Sequence, residues 1–342
     1  MIIAVDAMGG EYAPHEIVKG ALKAAEQYKI GIALVGKKDI LHILTAKNKS
    51  KLDITIVEAS EVIEDNESPI EAVANKPNSS IVVGIQLLKE GKAQAFVSAG
   101  STGAVFFCAF MTLGRVEGVD RPAIGSIINV NVTNPFLLID CGANPNCKPK
   151  HLLQFAQMGS IYAREIFQVP SPRVAMLNIG EEENKGNQLT KDTYPILKAS
   201  NLNFVGNIEG QFLSHGKADV VVTDGFTGNV VLKTLEGMGE TFLRLRNVGE
   251  MLSRASHGDS QSILFDTSVG SFLKRIDYRE AGGSCLLGLN GDVIISHGRS
   301  QAKAIKNAIG VAKRSVDRKV TEMIQQADFS EPEILAATGE EH

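Results

Sequence analysis

The chain has no tryptophan, and its four cysteines, at 108, 141, 147 and 285, form no C-x-x-C pair. Zinc ribbons and dithiol redox motifs need that spacing, so neither is expected, and the cysteines read as reduced thiols of a cytosolic protein. A surplus of positive charge is also missing. Lys and Arg total 35 against 39 Asp and Glu, a net charge of −4, which gives no global signal for nucleic acid. No run approaches the roughly 18 apolar residues of a spanning helix. The opening MIIAVDAMGG lacks a basic segment followed by a long apolar core, so no secretory signal is read there.

Several chemical motifs are absent as well. No G-x-G-x-x-G follows the first strand, so the dinucleotide fingerprint is lacking. The segment from Gly210 to Ala218 nearly copies a P-loop. It has one residue too many, lacks Ser or Thr after Lys217, and precedes a strand instead of following one. No G-x-S-x-G elbow is present. The seven histidines and the cysteines fit no metal spacing. The expectation is an activity with no metal and no cofactor.

What the chain does have is 44% hydrophobic residues and 33 glycines, enough for a sizeable core with many tight turns. Its organising stretch is Gly216 to Gly237, GKADVVVTDGFTGNVVLKTLEG. The run Val220-Val221-Val222-Thr223 reads as a buried strand of a parallel sheet. The turn Asp224-Gly225-Phe226-Thr227-Gly228-Asn229 follows, and then Val230, Val231, Leu232, Leu235 and Met238 recur at helical spacing. A helix start of this kind presents free N–H groups and a positive dipole end to an anion. Lys233, one turn in, adds a full charge. The same grammar stands earlier: GKAQAFVSAGSTGAV at 91–105 aligns without a gap with GKADVVVTDGFTGNV at 216–230. The pattern suits either two ordinary βα units or two loops with related jobs that face one another across a cleft.

Elsewhere, strands are read at Ile2–Asp6, Gly31–Val35, Ile54–Val57, Ile124–Val130, Phe136–Asp140, Val174–Leu177 and Asn203–Val205. Leu286–Ser296 reads as a hairpin around Asn290-Gly291. Residues 58–80 are polar with two prolines and read as a long loop with a short helix. One amphipathic helix is expected over about 300–326. The alternation predicts a doubly wound, three-layer α/β/α fold. In such a fold the loops after Asp6, Ser98, Asp140, Asn178 and Thr223 gather beyond the carboxyl ends of the strands. A single domain over 1–328 is expected, with a helical tip protruding at about 242–278 and a disordered tail at 329–342.

These loops are rich in amides and hydroxyls, a set that holds phosphate and stabilises an oxyanion without a nucleophilic side chain. Lys185, Asn229 and Asp224 are the catalytic candidates. Candidates for phosphate and substrate binding are Asp6, Gly9, Gly10, Ser98, Thr102, Gly103, Asp140, Asn144, Asn178, Gly186, Thr227, Gly228 and Lys233. For the strand-end aspartates 6, 140 and 224 the alternative is a helix cap or a clip that closes a loop.

Ordered motifs along nearly the whole chain resemble the bacterial phosphate acyltransferases of phospholipid synthesis. They are VDAMGG at 5–10, SAGSTGA at 98–104, RPA at 121–123, DCGAN at 140–144 and CKPKHLLQFAQMG at 147–159. NIGEEENKGN at 178–187, GNIEG at 206–210, DGFTGNVVLKTLEG at 224–237, LLG at 286–288 and HG at 297–298 continue the series. The resemblance implies transfer of a fatty acyl group from acyl carrier protein to inorganic phosphate, giving acyl phosphate for the first acylation of glycerol 3-phosphate. It also implies a fold like those of phosphotransacetylase and isopropylmalate dehydrogenase. A homodimer is implied too, in peripheral contact with the inner face of the cell membrane and with the downstream glycerol-3-phosphate acyltransferase. The chain departs from the family pattern at Glu11-Tyr12, where Asp-His is usual, so no His base is assigned there. Ser101 replaces an Asn, and Ala281 stands where Tyr is common. Apolar residues at helical spacing from Phe242, with Arg244, Arg246 and Arg254 nearby, fit either a membrane-facing tip or a dimer interface. Two rivals remain beside the transferase, a decarboxylating dehydrogenase on a related fold and a membrane-associated scaffold.

Overall fold

The computed structural model describes residues 1–47, 51–129, 134–255 and 282–330, with the side chains of 240 and 242–255 left aside. Strands and helices alternate from the start. The first half holds β1 (Ile2–Asp6), α1 (His15–Tyr28), β2 (Gly31–Gly36), α2 (Lys38–Thr45), β3 (Ile54–Glu58), α3 (Pro69–Asn75), α4 (Ser80–Lys89), β4 (Ala95–Ser98) and α5 (Thr102–Leu113). After β5 (Ala123–Ile128) and β6 (Phe136–Ile139) come α6 (Pro149–Ile166), β7 (Arg173–Asn178), α7 (Gln188–Ala199), β8 (Asn203–Glu209), a 3-10 turn at Gly210–His215, β9 (Val220–Val222) and α8 (Gly225–Ala255). The chain closes with β10 (Ser284–Leu287), β11 (Asp292–Ile295), α9 (Ala302–Asp317) and α10 (Val320–Gln325).

All eleven strands of the described residues join one sheet, in the order β3-β2-β1-β4-β11-β10-β5-β6-β9-β7-β8. Because side chains alternate along a strand, each strand feeds both faces. Ile3, Val5, Val97, Leu137, Ile139, Val220 and Val222 belong to one core, which α1, α6, α7, α9 and α10 cover. Ala4, Phe96, Phe136, Leu138 and Val221 belong to the other, under α4, α5 and α8. The result is the expected three-layer α/β/α arrangement.

The sheet departs from expectation in its directions. β3, β2, β1, β4 and β11 are mutually parallel, as are β6, β9, β7 and β8. The contacts β11–β10, β10–β5 and β5–β6 are antiparallel. Three reversals leave the two parallel blocks running in opposite senses. The loops after Asp6 and Ser98 therefore leave one edge of the sheet, and those after Asp140, Asn178 and Thr223 leave the other. They do not share one rim as the sequence reading expected, because the two central strands β10 and β5 were not placed between the halves.

Other differences are local. The long terminal helix is broken: Lys319 sits at φ 56, in left-handed backbone, between α9 and α10. Helix α2, buried through Leu41 and Thr45, was not read from the sequence. The polar stretch from 58 carries the short helix α3. The expected tip is helical in its backbone as far as Ala255. Residues 256–281 and the tail from 331 lie outside the described residues. Among the described residues no helix is long and apolar enough to cross a membrane.

Candidate active site

A cleft of about 530 Å³ opens on the sheet face carrying α5 and α8. Its floor is β5 and the start of β10, with Ile124, Ser126, Ile128 and Ser284 on the cleft side and Ile127 packed toward the opposite core. One wall is the first turn of α5, Thr102, Gly103 and Phe106. The other is α8, with Asn229, Leu232, Lys233, Leu235 and Glu236. Cys141, Gly142 and Ala143 close one end, and Ser296, His297 and Ser300 the other. The repeated sequence units thus do face one another. α5 enters from one edge of the sheet and α8 from the opposite edge, so the two helices flank the same floor.

Each unit is fastened by a buried aspartate. Asp6 Oδ1 accepts from the N–H groups of Met8 and Gly9, both at 3.0 Å, and Oδ2 from Ser98 Oγ at 2.7 Å. The Ser98 hydroxyl in turn accepts from the Gly100 N–H at 3.0 Å. Asp140 Oδ1 accepts from Ile124 N (2.9 Å) and Ala143 N (3.1 Å). Its Oδ2 accepts from Asn144 N (2.7 Å) and Asn144 Nδ2 (2.9 Å), and the same amide donates to the Pro122 carbonyl. Burial pushes both carboxyls above their ordinary value, and these donors pull the other way. Asp6 and Asp140 are completely buried, and Ser98 and Asn144 nearly so. These four candidates hold the loops shut from inside and do not line the cleft. Gly9 lets the first loop close: a Cβ there would lie 2.3 Å from Asp6 Oδ2 and 2.7 Å from the Gly100 nitrogen. Gly10 belongs to the same turn.

Asp224 caps α8. Its Oδ1 accepts from Thr227 N at 2.9 Å and its Oδ2 from Thr227 Oγ1 at 2.7 Å. Gly228 presses on the carbonyl of Asp140, which fixes the first turn of α8 against the other loop. Asn229, exposed in the cleft beside Gly142, makes no side-chain hydrogen bond among the described residues. Lys233 Nζ pairs with Glu236 Oε2 at 2.8 Å.

The loop after β7 lies apart. Asn178 Nδ2 donates to the Lys185 carbonyl at 3.1 Å, and Asn178 Oδ1 accepts from the Ile179 N–H. Gly186, at φ 98, completes the turn. Lys185 is exposed and is not among the residues lining the cleft. Two residues on, Asn187 lines a shallow depression with Asn146, Cys147, Asp224 and Thr227, on the other side of the α8 start. Burial pushes the Cys147 thiol up to about 12, so it is not a thiolate nucleophile at neutral pH. All four cysteines are free. Among the described residues no three His, Cys, Asp or Glu side chains gather as a metal cluster.

The structure therefore brings together Thr102, Gly103, Asn229 and Lys233 of the candidates. It adds Glu236, His297, Ser126, Ser284, Ser296 and Ser300, which the sequence reading did not select. The single serines of β5 and β10, which pair across the strands, and the His-Gly pair after β11 were visible. What they share was not, because it depends on strand order.

The chain is 52% identical to a phosphate acyltransferase of Dehalococcoides mccartyi, over 95% of this chain and 94% of that one. It is 49% identical to one of Dictyoglomus turgidum, over 95% and 96%. A phosphotransacetylase of Streptococcus pyogenes shares the fold with a TM-score of 0.59 at 18% identity, over 94% of both chains. A 4-hydroxythreonine-4-phosphate dehydrogenase of Klebsiella pneumoniae does so with 0.52 at 12% identity, over 92% and 98%. The family described as fatty acid synthesis protein matches residues 1–323. The chain belongs to that family and is an acyltransferase.

Proposed function

We propose that this chain moves a fatty acyl group from acyl carrier protein to inorganic phosphate and releases acyl phosphate for phosphatidic acid synthesis. The observation that carries the reading is the divided lining of the cleft. Phe106, Ile124, Ile128, Leu232 and Leu235 offer an apolar surface to an acyl chain. Lys233, Asn229 and the open N–H groups at the start of α5 offer an anion site beside it. Phosphate is itself a nucleophile, so holding it against a thioester carbonyl while donors meet the developing oxyanion is sufficient chemistry. Asn229 suits the oxyanion or the phosphate, since its amide has no other duty. Lys185, exposed on the loop after β7 that lies apart from the cleft, enters the reading as a second cation for phosphate. Asp224 and Thr227 act by fixing the start of α8.

The same reading includes a homodimer that works at the inner face of the cell membrane and passes acyl phosphate to glycerol-3-phosphate acyltransferase. Acyl phosphate is reactive and amphipathic, so release beside a lipid surface limits its loss to water. The decisive assay is thiol release from an acyl carrier protein thioester. Release that requires phosphate, with acyl phosphate recovered as product, is expected. Equal release without phosphate, or none with it, refutes the reading.

A further inference from the structure

One group of charged side chains in the cleft has a composition that simple anion binding does not need. Lys233 Nζ lies 2.8 Å from Glu236 Oε2, and His297 Nε2 lies 3.9 Å from the same oxygen. Lys233 and Glu236 stand on α8, and His297 follows β11. All three line the cleft. The Glu236 side chain is only 18% exposed, against 57% for Lys233. Its other oxygen, Oε1, accepts no hydrogen bond among the described residues. The N–H of Arg299 donates to His297 Nδ1 at 3.1 Å. With Nδ1 used as an acceptor, the ring's proton sits on Nε2, the nitrogen nearest the carboxylate.

We propose that Glu236, Lys233 and His297 form a seat that selects a protonated oxyanion, hydrogenphosphate, over an oxyanion that carries no proton. The proposal rests on the cleft being the acyl-transfer site. A site built only to attract phosphate would not place a largely hidden carboxylate among its donors. Lys233 Nζ and His297 Nε2–H can each meet an anionic oxygen. Glu236 can accept from the hydroxyl that phosphate retains near neutral pH. Sulfate has the same tetrahedral shape but no hydroxyl. It would bring an anionic oxygen against the carboxylate, with little water to screen the repulsion. The donors supply attraction and the carboxylate supplies the choice.

The balance of the transfer is unaffected by the seat. The thioester and hydrogenphosphate give acyl phosphate and thiol. A C–O bond forms, the C–S bond breaks, and its electron pair goes to sulfur. The phosphate hydroxyl proton ends on that sulfur. His297 and Glu236 finish in the states in which they began.

The test measures thiol release from an acyl carrier protein thioester at fixed pH and ionic strength, with phosphate varied and sulfate or arsenate added. Arsenate has a hydroxyl at the same pH and is expected to replace phosphate in the wild-type protein, while sulfate at matched concentration leaves the phosphate KM unchanged. Glu236→Gln is expected to raise the phosphate KM at least about tenfold and to let sulfate compete. His297→Gln, which keeps a donor, is expected to retain more of the phosphate affinity than His297→Leu. Sulfate that competes with phosphate in the wild-type protein overturns the proposal without any variant. So does a Glu236→Gln protein with the wild-type phosphate KM and the same indifference to sulfate. In either case phosphate-dependent thiol release survives, so only the seat is lost. A wild-type protein that releases no thiol with phosphate removes the seat and the acyl-transfer reading together.

Discussion

Replacing Gly228 by Ala tests whether the first turn of α8 is held by contact with the facing loop. An added Cβ would lie 1.9 Å from the Asp140 carbonyl oxygen and 3.0 Å from both the Asp140 carbonyl carbon and Thr223 Cγ2. Ordinary contact begins near 3.4 Å, so about 1.5 Å of room is missing. The obstacle is backbone, and that backbone is pinned by the four hydrogen bonds to the Asp140 carboxylate. The helix must yield instead. Overpacking of this kind costs about 1–3 kcal/mol, against at most about 1 kcal/mol gained from the better helix former. Asn229 is the next residue, so the displacement reaches the cleft directly. A shift near 1 Å in a positioning group costs on the order of 10²-fold in rate. Thermal unfolding and thiol-release kinetics on the same preparation give both numbers. Gly237→Ala is the control on the same helix: nothing lies within 4 Å of its added Cβ. It is expected to gain about 0.5–1 kcal/mol with unchanged turnover. A Gly228→Ala protein with wild-type Tm and turnover would show that the contact positions nothing.

Asn229→Ala is expected to lower turnover by roughly ten- to a hundredfold, the cost of about 1.5–3 kcal/mol for a lost charge-assisted hydrogen bond, with Tm nearly unchanged. A fall in Tm with normal turnover would make the residue structural. Lys185→Ala is expected to weaken the dependence on phosphate while the fold stays intact, and an unchanged phosphate KM would remove Lys185 from the reaction. Burial raises the Asp292 carboxyl to about 6, above its ordinary value, although hydrogen bonds from Ser315 and Thr321 oppose the shift. A raised folded pKa favours the protonated fold, so this contribution is complete below about pH 4 and is lost as pH rises through about 6. Asp292→Asn should therefore gain on the wild-type protein by about 2–3 kcal/mol between those limits. A stability difference that does not change with pH in chemical denaturation would refute it.

The βα units were legible because each advertises itself locally. Val220–Val222 is a short β-branched run, and the Gly-rich turn and apolar helix follow at once. Their repetition at 91–105 left two readings open, and it is the helices α5 and α8 that face one another, while the loops before them leave opposite edges of the sheet. The reversal of the sheet was not legible, because it depends on a hairpin after residue 283 that inserts beside β4 and β5. Local pattern carries no information about that neighbour. The loop clips at Asp6 and Asp140 stood in the sequence as one of two readings, since an aspartate at a strand end looks the same in either role. Glu236 and His297 look like ordinary surface residues until the sheet brings them within 4 Å. The break at Lys319 left no mark either, because a lysine in left-handed backbone has no sequence signature.

The central position of β10 and β11 also orders the assembly of the protein during synthesis. Strands β3, β2, β1 and β4 are all made by residue 98, and β5 to β9 by residue 222. Each block then ends in an unpaired strand, β4 on one side and β5 on the other, until the hairpin beginning at Ser284 arrives to bond both. A nascent chain thus carries two bare strand edges from the completion of β5 at Ile128 until the hairpin at Ser284 is made, a state prone to wrong pairing with other chains. The last-made hairpin is the piece that joins the halves and lays the floor between them. A chain cut short before Ser284 would therefore be a source of aggregates and not a smaller enzyme.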